Sequence, residues 1–237
     1  MKRNLLLISN STLHGSGYLD HCADEIKKFL GDKKTILFIP YARPSGMTHD
    51  EYTDAARERF EKMGIKLTGI HKQSDPKEAV KNAEAIFIGG GNTFVLISQL
   101  YKSDIIDAVR ERVAEGMPYI GTSAGSNVAC KSVKTTNDMP IMYPPSFDAL
   151  NLVPFNINPH YLDPDPNSKH KGETRETRIK EFHFYNAEYV IGLREGAMLH
   201  IKDDNMVLKG TTGARIFKND KEAEEYKPGD NLDFILI

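Results

Sequence analysis

AIFIGGGNT (residues 85–93) and PYIGTSAG (residues 118–125) are the two stretches that decide the fold. Each begins with a short apolar run typical of a buried strand and ends in a glycine-rich turn. Strands that are apolar on both faces occur in parallel sheets covered by helices, and ligands bind at the carboxyl ends of such strands. We therefore expect both turns to emerge at one edge of a parallel sheet.

Strand and helix signals alternate on both sides of these stretches, as far as residue 130. Thr48 and Glu51 form a capping-box pattern, and Asp75-Pro76 is an N-cap followed by proline at the first helical position. This alternation predicts an α/β fold whose mainly parallel sheet is covered by helices on both faces. The expected strands are 5–9, 36–39, 66–70, 85–88 and 118–122; the expected helices are 19–30, 48–63, one from 75, 104–115 and a short run to 130.

The pattern changes in the carboxyl-terminal part of the chain. Prolines crowd the segment 140–166, where no periodicity holds, which predicts a long loop system rather than a core element. A helix near 173–185 and short strands at 189–193, 198–202, 206–208, 214–217 and 232–237 follow, with connections typical of antiparallel hairpins. Nothing marks a domain boundary, so residues 1–237 are interpreted as one α/β domain.

Composition excludes several classes of protein. The 237 residues carry a formal net charge of −2, which argues against a nucleic-acid or anionic-membrane binder and favours a small molecule or peptide as partner. The apolar run after the basic amino terminus is too short for a secretory signal, and no stretch is long enough to span a membrane. The two cysteines, Cys22 and Cys130, are expected to be buried and free, as in a cytoplasmic protein.

Gly121-Thr122-Ser123-Ala124-Gly125 matches the G-x-S-x-G nucleophile elbow in its strand-turn-helix setting. The glycines permit a tight turn that lifts the hydroxyl of Ser123 clear of the sheet. The helix amino terminus behind it favours developing negative charge. Ser123 is therefore the candidate nucleophile.

The glycines at 89–91 suggest an oxyanion hole, with bare N–H groups near Gly90 and the N–H of Ala124 as donors. The alternative is phosphate binding. Neither G-x-G-x-x-G nor G-x-x-x-x-G-K-[ST] occurs at this turn, which argues against a nucleotide site.

A nucleophilic serine needs a base, and His160 is the best candidate because it ends a short apolar stretch within the proline-rich loops. His170 competes, but its neighbours Ser168-Lys169 and Lys171 suggest a solvated turn. The other histidines are expected to be solvated or packed; they are His14, His21, His49, His71, His183 and His200. No ligand spacing for a metal is present, so no cofactor is expected.

Several short motifs together carry a resemblance to a known family: SNSTL (9–13), GGGNTF (89–94), GTSAG (121–125), TTNDMP (135–140), INPH (157–160) and GETRE (172–176). They resemble peptidase E, the α-aspartyl dipeptidase family, from the first strand to about Gly196. The family is similar in fold to class I glutamine amidotransferases, with serine in place of cysteine. The resemblance implies a cytoplasmic serine exopeptidase that cleaves Asp-Xaa dipeptides without a metal.

The resemblance also implies roles for individual residues. Ser123 is the nucleophile, His160 its base, and the region of Gly90 and Ala124 the oxyanion hole. Arg175 binds the substrate's aspartate side chain, a role that a guanidinium fork suits. Asn92 is a second expected substrate contact. The competing interpretation makes Arg175 a solvated helix residue paired with Glu173 or Glu176.

Two acids compete for the third place in the triad. Glu195 follows a predicted strand and should emerge beside the other catalytic turns, whereas Asp138 lies in a loop that could instead contact substrate. We favour Glu195, with Asp138 as a second acid close to the site. The family's usual Trp or Ser before the nucleophile is Thr122 here.

The same residues leave two other functions open. The chain could hydrolyse other aspartyl amides, as a cyanophycinase does, or it could be a non-catalytic small-molecule-binding module of the same fold. The sequence is compatible with either a monomer or a homodimer.

Overall fold

The computed structural model describes residues 2–165, 167 and 172–236, and it contains two sheets. The larger sheet has seven strands in the order β3-β2-β4-β5-β1-β8-β9. They are β1 (Asn4–Ile8), β2 (Thr35–Ile39), β3 (Lys66–Gly69), β4 (Ile86–Ile88), β5 (Tyr119–Thr122), β8 (Ala197–Lys202) and β9 (Asn205–Gly210). The first five of these pair in parallel, and β8 and β9 are antiparallel to their neighbours.

Successive side chains of the parallel strands enter opposite cores, as the pleat of a strand requires. Leu5 and Leu7 lie in the core on one face of the sheet, and Leu6 and Ile8 in the core on the other. The helices that cover these cores are α1 (Ala23–Leu30), α2 (His49–Lys62), α3 (Pro76–Lys81), α4 (Thr93–Lys102), α5 (Ile106–Ala114) and α6 (Ala124–Ala129). The predicted α/β class, with a mainly parallel sheet covered on both faces, is confirmed.

Local helix signals act as the sequence predicts. Thr48 and Glu51 form a complete capping box at the start of α2. The side chain of Asp75 accepts a hydrogen bond from the N–H of Glu78, with Pro76 at the first position of α3. None of the helices in the described ranges is long and apolar enough to cross a membrane.

The smaller sheet has four strands in the order β11-β10-β7-β6. They are β6 (Asn156–Pro159), β7 (Val190–Leu193), β10 (Ala214–Phe217) and β11 (Glu224–Tyr226), and helix α7 (Arg175–His183) lies between β6 and β7 in the chain. Strand β6 pairs in parallel with β7, and apolar residues of both enter the core that also holds Leu5 and Leu7. The two sheets therefore share one apolar core.

Helix α4 was missing from the sequence-based prediction. Its residues are mostly buried, from Thr93 through Ser98, so the segment has no polar face to generate a helical period. The one sequence signal that could have indicated this helix is its N-cap residue, Asn92. Its side-chain oxygen accepts hydrogen bonds from the N–H groups of Phe94 and Val95.

The prediction that 140–166 is only a loop system was wrong. Strand β6 lies within it and is fully buried, as are Leu150 and Phe155 just before it. A four-residue buried strand is too short to show alternation. Pro159 is tolerated there because β6 is an edge strand of its sheet.

Two carboxyl-terminal expectations also fail. The stretch 232–237 forms a short 3₁₀ turn at Asp233–Ile235 rather than a strand, and Ile237 lies outside the described residues. The polar strand Glu224–Tyr226 was not predicted. The hairpin of β8 and β9 is confirmed, but the Gly210–Gly213 connection passes from one sheet to the other instead of closing a hairpin.

Candidate active site

Ser123 lies at the sharp turn between β5 and α6. Its backbone has φ 51° and ψ −109°, an unusual conformation for a residue other than glycine. Its N–H donates to the carbonyl of Ile8 at 2.9 Å. A Cβ on Gly121 would lie 2.5 Å from the carbonyl oxygen of Gly125, and one on Gly125 would lie 2.1 Å from that of Ile88. The flanking glycines are therefore required by close backbone packing.

The turn after β4 packs directly against this serine, as expected for two neighbouring strands. A Cβ on Gly90 would lie 3.1 Å from Cβ of Ser123. Gly91 has φ 144°, and a Cβ there would lie 2.2 Å from the carbonyl oxygen of Ala42. Among the described residues, the N–H groups of Gly90 and Ala124 have no hydrogen-bond acceptor. Two unused donors thus flank the serine.

His160 follows β6 and reaches Ser123 from the smaller sheet. Its Nε2 lies 3.0 Å from the hydroxyl oxygen of Ser123, and its Nδ1 lies 2.6 Å from Oε1 of Glu195. An ionised carboxylate only accepts hydrogen bonds, so Nδ1 carries the proton and Nε2 is free to accept one. This tautomer is the one that a base for Ser123 needs.

Glu195 follows β7, the strand that pairs with β6. Residues Pro159 and Leu193 are partners in that pairing, which brings the two strand ends together. The hydroxyl of Thr212 donates to the backbone carbonyl of Glu195 at 2.6 Å. The carboxylate side chain is half exposed, so it stays hydrated on one side while it contacts His160.

Asp138 occupies a different place. One carboxylate oxygen accepts hydrogen bonds from the N–H of Thr93 at 2.7 Å and the hydroxyl of Thr136 at 3.1 Å. No contact with His160 occurs within the described ranges. Asp138 therefore holds the first turn of α4, directly after the glycine turn.

Both the oxygen and the nitrogen of the Asn92 side-chain amide are hydrogen-bonded to the backbone of the protein. Its oxygen caps α4, and its nitrogen donates to the carbonyl of Met139 at 2.9 Å. Asn92 therefore links the glycine turn to the loop that follows Asp138. A contact between Asn92 and a substrate stays a prediction.

Arg175 is the first residue of α7 and is half-buried. It lines an open cavity of about 430 Å³ together with residues of the segment after His160, and the lining also includes Arg178 and the acidic residues Asp163, Asp165 and Glu173. Burial and the nearby Arg178 lower the pKa of its guanidinium. The structure thus brings Arg175 to the chain segment that leaves His160, but not into contact with Ser123 or His160.

The expected acid partners of Arg175 bind other residues. Glu173 pairs with Arg178, and Glu176 pairs with Lys180 and Arg215. In the part of the chain that the structure describes, Arg175 has no acidic partner. This contradicts the interpretation of Arg175 as half of a surface ion pair.

Sequence reasoning gave no role to several polar residues that hold the site. Asn137 donates to the carbonyl of Pro159 at 2.6 Å, and Ser9 accepts from the N–H of His160 at 2.9 Å. For Ser9 the available signal was a polar residue directly after the buried apolar strand β1 at the functional edge of the sheet. His170, the competing base, lies outside the described residues.

Comparison with known proteins fits this geometry. The sequence profile of Peptidase family S51 matches residues 5–209, most of the chain. The chain belongs to peptidase family S51. Both stretches that decide the fold, and the residues Ser123, His160 and Glu195, lie inside the matched region of this family S51 chain.

Relatives match the family S51 chain over nearly its whole length. It is 48% identical over 237 residues to a protein described as a probable alpha-aspartyl dipeptidase from Drosophila melanogaster, with 99% of this chain and 98% of the relative covered. It is 48% identical to a peptidase E from Streptomyces coelicolor, covering 98% and 95%. It is 49% identical to a peptidase E from Nostoc sp., covering 100% and 98%.

Solved structures share the fold of the family S51 chain. A peptidase from an acI-B1 Actinobacterium has a TM-score of 0.75 at 18% identity, with 98% of this chain and 97% of that one covered. A putative peptidase E from Listeria monocytogenes EGD-e has a TM-score of 0.68 at 22% identity, with 90% and 100% covered. At these identities the likeness supports the fold alone.

Proposed function

We propose that this chain is a serine dipeptidase that hydrolyses dipeptides with an amino-terminal aspartate, through Ser123, His160 and Glu195. The observation that carries the proposal is the continuous contact from the hydroxyl of Ser123 to Nε2 of His160, and from Nδ1 of His160 to Glu195. Family membership and the names of the relatives support a dipeptidase.

The first half of the reaction forms an acyl-enzyme. Ser123 attacks the peptide carbonyl carbon while Nε2 of His160 takes the hydroxyl proton. The carbonyl oxygen becomes negative and accepts hydrogen bonds from the N–H groups of Gly90 and Ala124. Glu195 stabilises the imidazolium that His160 becomes. The tetrahedral species then collapses, His160 protonates the leaving amine, and the second residue departs as a free amino acid.

The second half releases aspartate. Nε2 of His160 takes a proton from a water molecule, whose oxygen attacks the ester carbon on Ser123. The C–O bond to Ser123 breaks, the serine oxygen recovers the proton from His160, and free aspartate leaves. The proton count returns to its starting value without any added reagent.

Selectivity for aspartate comes from Arg175. A cation that is half-buried and has no acidic partner in the described chain favours an anionic ligand, because the ligand replaces the hydration that burial removes. The side-chain carboxylate of the substrate supplies that anion. Asparagine in the same place lacks the charge, so Asp-Xaa is the preferred substrate.

Asp138 and Asn92 support the site from the side of the glycine turn. Asp138 fixes the N–H of Thr93, and Asn92 caps the same helix turn. Both bonds hold the backbone that follows Gly90, where the oxyanion donors lie. We assign Asp138 to this support and to the substrate side, with Glu195 as the partner of His160.

The protein acts in the cytoplasm. Cys22 and Cys130 are free and buried, and burial raises the pKa of Cys22 to about 12. Such thiols suit a reducing compartment and take no part in the reaction.

Ser123→Ala tests the proposal. Hydrolysis of Asp-Leu, followed by release of free leucine, should fall by about 10⁴-fold or more while the melting temperature stays close to that of the wild type. The wild type should cleave Asp-Leu faster than Asn-Leu and β-aspartyl-leucine. Activity of Ser123→Ala within about tenfold of the wild type would contradict a serine mechanism.

A further inference from the structure

Ser9 lies directly after β1, and its hydroxyl makes two hydrogen bonds. It accepts one from the backbone N–H of His160 at 2.9 Å and donates one to the backbone carbonyl of Leu193 at 2.8 Å. Leu193 ends β7, two positions before Glu195. Because a hydroxyl has a single proton, these two bonds fix its orientation. One side chain thus joins the residue of the proposed base to the strand that presents the proposed acid.

Asn10 makes a further hydrogen bond, to the residue that follows Glu195. Its Oδ1 accepts a hydrogen bond from the N–H of Gly196 at 2.9 Å, and its Nδ2 donates to the carbonyl of Thr12 at 3.0 Å. Gly196 has φ 85° and directly follows Glu195. The turn that carries Glu195 is therefore held from the end of β1.

The same strand end also contacts the nucleophile. The carbonyl of Ile8 accepts a hydrogen bond from the N–H of Ser123 at 2.9 Å. Ile8, Ser9 and Asn10 are consecutive, so three neighbouring residues touch the backbone at or beside all three members of the proposed triad. The end of β1, a strand of the larger sheet, is thus hydrogen-bonded both to the turn of Ser123 and to residues at the ends of β6 and β7 in the smaller sheet.

Burial shows how Ser9 and Asn10 can act. Ser9 is 0% exposed and Asn10 is 1% exposed, so neither side chain can touch a substrate. A buried polar group lowers stability unless it is hydrogen-bonded. The side chains of Ser9 and Asn10 are hydrogen-bonded to the backbone of residues at or next to the proposed triad. Their effect on the reaction can only pass through His160 and Glu195.

The backbone of His160 needs such support. Its φ of 51° is in the left-handed region, which is unfavourable for a residue other than glycine. The bond from its N–H to Ser9 holds that conformation, and Nε2 then reaches Ser123. Without the acceptor, the backbone can relax and carry the imidazole away from the serine hydroxyl.

We propose that Ser9 is a positioning residue for the reaction, assisted by Asn10, and that it aligns His160 with Ser123 and Glu195. This inference rests on the proposed function. It predicts a loss of turnover without a loss of substrate affinity, since Ser9 and Asn10 are buried and neither lines the cavity at Arg175.

The test compares Ser9→Ala, Ser9→Thr and the control Ser98→Ala, using steady-state hydrolysis of Asp-Leu. Ser98 is also buried and donates one hydrogen bond, to the carbonyl of Phe94 at 2.7 Å, away from the triad. Ser9→Ala should lower kcat by about 100-fold and leave KM within about threefold. Ser9→Thr keeps the hydroxyl and should recover most of kcat. Ser98→Ala should keep kcat within about twofold.

Labelling with a fluorophosphonate supplies a readout independent of substrate binding. The rate of covalent labelling of Ser123 should fall in Ser9→Ala in parallel with kcat, because the same base activates the serine. If Ser9→Ala does not fold, Asn10→Ala carries the test, with an expected fall in kcat of about tenfold at unchanged KM.

Two outcomes would overturn the inference. One is a kcat for Ser9→Ala within about threefold of the wild type; the other is a fall that Ser98→Ala matches. Ser123→Ala, measured in the same series, distinguishes a failure of the proposed function from a failure of the positioning role alone. If Ser123→Ala retains activity, the proposed function fails; if it is inactive while Ser9→Ala is normal, only the positioning role fails.

Discussion

Glu195 and Asp138 can be separated by a pair of isosteric substitutions, Glu195→Gln and Asp138→Asn. Each removes one negative charge and leaves the side chain the same size. Because Glu195 contacts Nδ1 of His160 and Asp138 contacts the N–H of Thr93, the two variants should fail in different ways.

Glu195→Gln should act on the chemical step. The amide can offer an N–H to Nδ1 of His160 and stabilise the wrong tautomer, and it cannot stabilise an imidazolium. Replacing a buried triad aspartate by asparagine costs about 10⁴-fold in kcat. Glu195 is half exposed, so solvent screens part of its charge, and we expect a fall of about 10²- to 10³-fold with little change in KM.

Asp138→Asn should act mainly on local structure. Asparagine still presents an oxygen to Thr93, but the charge that strengthens this bond is lost. A charge-assisted hydrogen bond exceeds a neutral one by about 1 kcal/mol, which in a chain of this length lowers Tm by about 2 to 4 °C. The glycine turn loosens with α4, so kcat/KM should fall by no more than about tenfold.

The assay is steady-state hydrolysis of Asp-Leu, with Tm from calorimetry on the same samples. Glu195→Gln should have a wild-type Tm and a low kcat, whereas Asp138→Asn should have a lowered Tm and a much smaller loss of activity. A normal kcat for Glu195→Gln together with a larger loss for Asp138→Asn would refute the assignment and make Asp138 the partner of His160.

Arg175→Ala should lower kcat/KM for Asp-Leu by about 10- to 150-fold through loss of the contact with the carboxylate, while the control Lys180→Ala, an exposed cation of the same helix outside the cavity lining, changes it by less than about twofold; equal losses would remove Arg175 from the pocket. Asp163→Asn should lower Tm more at about pH 7 than at about pH 3. Arg194 holds the pKa of Asp163 below its usual 3.8, so the stabilisation exists above that value and is lost as pH falls through the folded pKa; a Tm difference that does not shrink in acid contradicts this. Thr48→Ala should lower Tm by about 2 to 4 °C and leave kcat unchanged, because the capping box is worth about 1 kcal/mol; an unchanged Tm would contradict it.

The parallel sheet could be predicted because its signals are local. Apolar strands, the Thr48 capping box and the Asp75-Pro76 start are each written in a few adjacent residues, and all form as expected. Helix α4 and strand β6 were missed because burial on all sides removes the polar positions from which a period is recognised. Whether a buried apolar run is a helix or a strand is then decided by tertiary packing.

Some site residues could likewise be predicted from local sequence signals, whereas their contacts with distant residues could not. The turn at Ser123 has a local signature, so its place at the sheet edge followed from the sequence. The contact of His160 with Glu195 joins residues on two paired strands of a second sheet, and only the resemblance and the position of Glu195 after a strand suggested it. The position of Ser9 after a buried strand marked it as a residue of the functional edge, but its two hydrogen-bond partners, His160 and Leu193, are distant in the sequence and could not be predicted.

The order in which the two halves of the site leave the ribosome follows from the split between sheets. The turn of Ser123 needs β1, β4, β5 and α6, all of which end by residue 129. His160 and Glu195 come later, directly after β6 and β7, and synthesis proceeds from the amino terminus. On the proposed mechanism, a nascent chain carries Ser123 before its base His160 has been made, and hydrolysis requires that the last third of the polypeptide has docked.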